Sequence, residues 1–163
     1  MSFDAFSPAQ KQRIIVERDL LEKYFPGRVS WSGVKYVEIA MQSNSNRNYK
    51  LRVYIAEDFP NSCPELVVVT PKNMKKRGGK ALPCPSHSFH TLGKKDGYIK
   101  ICHYIPGNWT GDITFYQVFM KGRLWIEAYE GHLNTGRKMK SYLRNQSDSD
   151  DDDSSDDDRC ILM

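Results

Sequence analysis

The chain has 163 residues, of which 39% are hydrophobic and 12% aromatic, enough for one domain with a buried core and an additional tail. Eight aspartates and one arginine give residues 147–163 a formal charge of −7, so the overall charge of +4 leaves +11 on residues 1–146. No window approaches the roughly 20 apolar residues of a membrane span, and the N-terminus lacks the features of a signal peptide. No ordered basic and aromatic motif predicts a nucleic-acid partner. The chain is therefore expected in the cytoplasm.

The first predicted element is a helix that begins after Ser7. Ser7 is its N-cap, Pro8 suits the first helical position, and Gln10 completes a capping box. The apolar stripe of this helix, with charged residues such as Glu17 and Arg18 opposite, consists of Ile14, Ile15, Leu20, Leu21, Tyr24 and Phe25.

Strands follow this helix. Two segments, residues 34–42 and 49–56, alternate apolar and polar residues, which is typical of strands with one buried face. The apolar positions are Val37, Ile39 and Met41 in the first segment, and Leu51, Val53 and Ile55 in the second. The β-branched run at 66–71 predicts a buried strand.

Residues 72–97 show no clear period and predict a long loop, with Gly, Pro and Ser as punctuation. Thr110 is the predicted N-cap of a second helix that extends to about residue 133, with Gly122 and Gly131 expected to weaken or divide it. Helix, strands, loop and helices in this order predict an α+β fold with an antiparallel sheet.

Two stretches resemble the ubiquitin-conjugating enzyme family. In residues 49–71, Phe59-Pro60 and Cys63-Pro64 stand where that family has the Tyr-Pro and Pro-Pro of a turn between two strands. "WTGDITFYQV" resembles the Trp-Ser-Pro-x-Leu-Thr entry to that family's second helix. The resemblance implies an N-terminal helix, an antiparallel meander sheet and shortened C-terminal helices in a domain over residues 7–143, followed by a tail over residues 144–163.

The same resemblance implies thioester chemistry on one cysteine, with an Asn of a His-Pro-Asn motif as the oxyanion donor. In one alignment, which we call the left-hand register, the family pattern is matched from its N-terminal side. His90-Thr91-Leu92 then occupies the His-Pro-Asn place, and Lys100 occupies the place of the cysteine. The His-Pro-Asn motif is therefore lacking. In this register the protein is a catalytically inactive variant that acts as an adaptor.

In the other alignment, which we call the right-hand register, the family pattern is matched from its C-terminal side. "ICHYIPGNW" then resembles the cysteine segment of divergent relatives, and Cys102 is the candidate thioester acceptor, seven residues before Trp109. In this register a two-residue length difference between Gly97 and Cys102 would be absorbed in the loop. His90 and Trp109 would shape the loop before the second helix, with Trp109 packed at the start of that helix. Both registers stay open. The expected function is therefore to carry or bind ubiquitin or a ubiquitin-like protein, together with an activating enzyme, a ligase or an active conjugating enzyme.

The four cysteines, Cys63, Cys84, Cys102 and Cys160, are expected to be thiols in a cytosolic protein. Four zinc ligands could come from Cys84, His87 and His90 with Cys102 or His103, but these residues lack paired C-x-x-C spacing. No metal site and no cofactor are expected. The Ser/His/Asp pattern of a hydrolase is also absent from the sequence.

The last segment is acidic and ends in Cys160-Ile161-Leu162-Met163, a C-a-a-X box of the farnesyl type. The Asp/Ser run is expected to be disordered, and Cys160 to carry a prenyl group that attaches the protein to the cytosolic face of a membrane. Because one lipid holds a membrane only marginally, the basic body is a candidate second signal. Alternatively, the acidic tail folds onto the body. The predicted loop contains a cluster of basic residues that could contact either a membrane or the acidic tail. This basic loop cluster consists of Lys72, Lys75, Lys76, Arg77 and Lys80.

Overall fold

The computed structural model describes residues 3–104 and 106–143. The described part is an α+β fold with a six-stranded antiparallel sheet and a few helices. The helices are α1 (Pro8–Tyr24), α2 (Phe115–Thr135) and α3 (Lys140–Leu143), with short 3-10 helices at Phe3–Ala5 and Pro106–Asn108. The strands are β1 (Val29–Ser32), β2 (Tyr36–Gln42), β3 (Asn48–Tyr54), β4 (Leu66–Thr70), β5 (Thr91–Lys95) and β6 (Tyr98–Ile101).

The sheet has the order β1-β2-β3-β4-β6-β5, and every neighbouring pair is antiparallel. The first four strands form a meander, and the β5–β6 hairpin joins it through β6. The apolar positions predicted in the β2 and β3 segments are all buried, and so are the first three residues of β4. Alternation therefore predicted the core face of the sheet correctly. It missed β1, which is a four-residue strand with only partial burial.

Helix α1 begins with the predicted capping box: Gln10 N–H donates to Ser7 Oγ, and Ser7 N–H donates to Gln10 Oε1. The predicted distribution of its side chains is partly wrong. Ile15 is 47% exposed, whereas the carboxylate of Glu17 is fully buried. Glu17 lies inside because it accepts from Arg13 and from the backbone amide of Phe115, at the start of α2.

Helix α2 begins later than predicted, because Thr114 rather than Thr110 is its N-cap and forms a capping box with Gln117. The expectation that two glycines divide this helix is wrong. An ideal Cβ on Gly122 would lie 2.5 Å from Leu51 Cδ1, and one on Gly131 would lie 2.9 Å from the Tyr142 ring. Both glycines permit close packing, which offsets their poor helix propensity.

The predicted loop at residues 72–97 contains β5, so that prediction is wrong for its last part. After α2 only the four-residue helix α3 follows within the described residues. The expected acidic tail and Cys160 lie outside the described residues. Within residues 3–104 and 106–143, no helix is both long enough and apolar enough to cross a bilayer.

Candidate functional site

The β5–β6 hairpin brings together His90 and Cys102, the candidate residues of the left-hand and right-hand registers. Its tight turn is Asp96-Gly97, where both residues have positive φ, as expected of a two-residue hairpin turn. The pairing register shifts between Thr91 and Lys94, which marks a bulge in β5. Past the bulge Thr91 faces Ile101, so His90 and Cys102 leave the hairpin side by side. The backbone amide of Cys102 donates to the carbonyl oxygen of His90 at 3.0 Å.

Cys102 follows the end of β6 and is only 3% exposed. Cys63 and Cys84 are free thiols, as expected. Burial therefore shields the sulfur of Cys102, which lies beside His90.

The residues of the left-hand register have different surroundings. Lys100 lies within β6 opposite Val67, and its ammonium is 3.2 Å from a carboxylate oxygen of Glu65. Glu65 also binds Lys95 at 2.6 Å, and these contacts hold the pKa of its carboxyl below the ordinary value although burial opposes them. Leu92 is 40% exposed in β5 and has no donor to offer an oxyanion.

His90 is buried, at 5% exposure, and its backbone has φ +50°. Neither ring nitrogen has a hydrogen-bond partner among the described residues. Burial lowers the pKa of His90 to about 4, and electrostatic interaction with the neighbouring His87 and Lys140 acts in the same direction. The imidazole is therefore neutral at neutral pH, which suits a packing role better than a role as a charged donor.

A second pair, which sequence reasoning missed, consists of Cys63 and His103. Cys63 Sγ is 3.6 Å from His103 Nε2, while His103 Nδ1 is 3.3 Å from the carbonyl oxygen of Ile101. Burial raises the pKa of the Cys63 thiol to about 11 and lowers the pKa of His103 to about 4. The pair is therefore a neutral thiol beside a neutral imidazole and lacks the thiolate that a nucleophile needs. Forty residues separate its members, so no local spacing could have revealed it.

Trp109 links this region to the turn between β3 and β4. Its indole N–H donates to the carbonyl oxygen of Pro60 at 3.0 Å. Its ring packs edge-on against Tyr104, and the ammonium of Lys121 is 5.2 Å from the Tyr104 ring centroid. The predicted family turn and the segment after Cys102 are therefore in direct contact.

The candidate metal ligands do not assemble into a site in the described part of the chain. The rings of His87 and His90 lie 5.8 Å apart between centroids. Within residues 3–104 and 106–143, no group of three or more His, Cys, Asp or Glu side chains could hold a metal ion.

No protein-family model matches the chain, and no curated protein is significantly similar to it.

Proposed function

We propose that this chain is a divergent ubiquitin-conjugating-enzyme-like protein that binds ubiquitin or a ubiquitin-like protein without carrying it as a thioester. The burial of Cys102, at 3% exposure, is the observation that carries this choice. A thioester acceptor must meet the C-terminus of another protein, which requires an accessible sulfur. In this reading the protein is an adaptor that works with an active conjugating enzyme or a ligase.

The family part of the proposal is supported by the order of elements and by the contact between two motifs. A capped helix, an antiparallel meander, a hairpin and a second long helix follow one another. The two stretches that resemble the family are residues 49–71, which contain the turn at 59–64, and residues 109–118. They meet through the hydrogen bond from Trp109 to Pro60. Two motifs that resemble one family are thus neighbours in space.

The second candidate function is that of a conjugating enzyme that carries the modifier on Cys102. The observation in its favour is the position of Cys102 just after β6 and beside His90, as the right-hand register predicts. In this function Cys102 must first become exposed. Leu92 offers no oxyanion donor, so transfer to an amine would be slow unless another donor replaces the missing Asn.

A thioester assay separates the two functions. The full chain, reduced and then freed of reductant, is incubated with activating enzyme, ATP and ubiquitin or a ubiquitin-like protein, and separated without reductant. The adaptor function predicts no reducing-agent-sensitive adduct but measurable binding of the free modifier. An adduct that is lost in Cys102→Ser and kept in Cys63→Ser would establish the carrier instead. If the modifier neither binds nor forms an adduct, both functions are wrong.

The proposal includes attachment to the cytosolic face of a membrane through a prenyl group on Cys160. It is supported by the tetrapeptide Cys160-Ile161-Leu162-Met163, whose two aliphatic residues and final Met suit a farnesyl acceptor. Mass spectrometry of the C-terminal peptide from cells should show a prenyl thioether. An unmodified peptide in wild type, or equal membrane recovery of wild type and Cys160→Ser, would contradict the proposal.

A further inference from the structure

Seven basic side chains meet at one end of the domain. Four belong to the turn after β4, and three follow α2; we call this set the basic end patch. Its members are Lys75, Lys76, Arg77, Lys80, Arg137, Lys138 and Lys140. Most of them are exposed, and Lys76 and Lys140 are half-buried.

The two segments of the patch are joined by specific contacts. The turn is closed by a bridge between Lys75 and Ala81 and by the hydrogen bond from Lys76 N–H to the carbonyl oxygen of Lys80. His132 joins the segments, because its Nε2 accepts from the amide of Arg77 while its Nδ1 is 2.8 Å from the carbonyl oxygen of Arg137. The patch is therefore a built surface and not a coincidence of composition.

Further contacts fix the turn against α2. The Arg77 guanidinium donates to the carbonyl oxygen of Asn134 at 3.2 Å. The Tyr129 hydroxyl donates to the carbonyl oxygen of Lys75 at 2.6 Å. Both segments of the patch thus lie at the C-terminal end of α2, close to the last described residue, Leu143.

The patch has no acidic counterpart in its own surroundings. None of its seven side chains pairs with a carboxylate among the described residues. The sequence itself contains no Asp or Glu in residues 66–95 or in residues 131–147. Seven like charges at close range repel one another, so an acidic occupant would lower the free energy of this surface.

We propose that the occupant is the acidic segment 148–158 of the same chain, which docks on the basic end patch. This segment carries eight aspartates and no basic residue, so its charge complements the seven positive charges of the patch. Asp148 follows Leu143 by five residues, an extended distance of no more than about 18 Å. The short connection gives the segment an effective concentration on the order of millimolar at the patch, an advantage that no separate acidic partner has.

Docking has a consequence for anionic surfaces. While the segment occupies the patch, the basic residues are not available to an anionic membrane or a nucleic acid. Each basic residue near an anionic surface contributes about 1 kcal/mol to binding, so release of the segment would uncover a second membrane signal. This inference does not depend on the proposed function, because the thioester and modifier-binding assays involve neither the patch nor the segment.

The test uses the full chain labelled with ¹⁵N, as wild type and with all eight aspartates of 148–158 changed to Asn. We expect the amide signals of Lys76, Arg77 and Lys138 to differ between the two proteins at about 20 mM salt and to converge at about 500 mM salt, where the Debye length is only a few Å. If these signals coincide at low salt, the segment does not dock on the patch.

A pair of charge-reversal variants tests the location. Lys76→Glu/Arg77→Glu/Lys80→Glu removes three charges of the patch. Lys23→Glu/Arg28→Glu/Lys35→Glu reverses three exposed charges near β1, which is an edge strand of the sheet. The amide signals of 148–158 should shift in the first variant and stay as in wild type in the second. Equal shifts in both variants would mean diffuse attraction and would overturn the proposal. Unchanged amide signals of the buried residues Ile39 and Leu51, in the β2–β3 pair, establish that each variant is folded.

Vesicles containing phosphatidylserine provide the second readout. The unprenylated Asp→Asn chain should bind them about tenfold or more tightly than unprenylated wild type, because its patch is uncovered. Reversal of the three patch charges should abolish this gain. Equal affinity of wild type and the Asp→Asn chain would show that the patch is open to other anions and that the segment is not its occupant.

Discussion

The amide of Cys102 and the carbonyl oxygen of His90 are joined by a hydrogen bond of 3.0 Å at the open end of the β5–β6 hairpin. The sequence offered two registers, one centred on each of these residues, and they disagreed about where the family cysteine lies. The bulge in β5 lets both residues occupy the same end of the hairpin. His90 and Cys102 are therefore neighbours, although twelve positions separate them in the chain.

The buried histidines predict how stability depends on pH. His90 and His103 have pKa values of about 4 in the folded protein, compared with roughly 6.5 in an unfolded chain. Well above pH 6.5 both histidines are neutral in the folded and the unfolded state, so their contribution to stability is constant. As the pH falls from 6.5 to 4, these histidines take up protons mainly in the unfolded chain, so the free energy of unfolding should fall, by no more than about 3.4 kcal/mol for each histidine.

Urea titrations at a series of pH values measure this slope. His90→Asn, which tolerates a positive φ, should make the slope between pH 6.5 and 4 shallower. His87→Asn, at an exposed neighbouring position, should change it little. A slope in His90→Asn as steep as in wild type would show that His90 takes up its proton equally in both states.

The indole of Trp109 should stabilise the turn between β3 and β4. Trp109→Phe keeps an aromatic ring against Tyr104 but loses the donor to Pro60, so we expect a loss of about 1 kcal/mol in the free energy of unfolding. Trp31→Phe is the matched control, because the Trp31 indole nitrogen makes no hydrogen bond to the described residues. Equal losses in the two variants, measured by urea unfolding, would argue against the hydrogen bond as the cause.

Glu17 should be essential for the contact between α1 and α2. Its carboxylate is fully buried, with Arg13 Nε at 2.9 Å and the amide of Phe115 at 2.9 Å. Glu17→Ala leaves both donors without this acceptor, so we expect a loss of about 3 kcal/mol or more. Glu17→Gln, which keeps an acceptor for the amide, should lose less.

Chemical unfolding of both Glu17 variants beside Glu22→Ala measures these losses. Glu22 is exposed on the same helix, and its substitution should cost within about 0.5 kcal/mol. A Glu17→Ala protein as stable as Glu22→Ala would refute the role of the buried carboxylate.

Gly122→Ala should destabilise the protein although Ala is the better helix former. The new Cβ would meet Leu51 Cδ1 at 2.5 Å and Leu66 Cδ2 at 3.2 Å, and overpacking of this kind costs about 1–3 kcal/mol. A double-mutant cycle with Leu51→Val, which removes the blocking methyl group, should recover part of the loss. Additive losses would show that the Leu51 side chain is not the obstacle.

Local pattern determined much of the fold. The capping box of α1 was readable because it depends on residues three positions apart, and the buried faces of β2 and β3 were readable because strand side chains alternate with a period of two. The α+β class followed from the order of these elements. The basic loop cluster and the acidic segment were also visible as composition, because charge needs no fold to be counted.

The tertiary structure alone decided the contacts between distant residues. No sequence period encodes a bulge that sets Cys102 beside His90, a glycine that receives Leu51, or a carboxylate such as Glu17 that is buried because another helix supplies its donors. The pairing of Cys63 with His103 is likewise a product of packing, across 40 residues of chain. Sequence periodicity indicates which face of a helix or strand is buried. Strand register and interhelical contacts depend instead on how the elements pack. That packing decided that Cys102 is shielded and where the residues of the basic end patch meet.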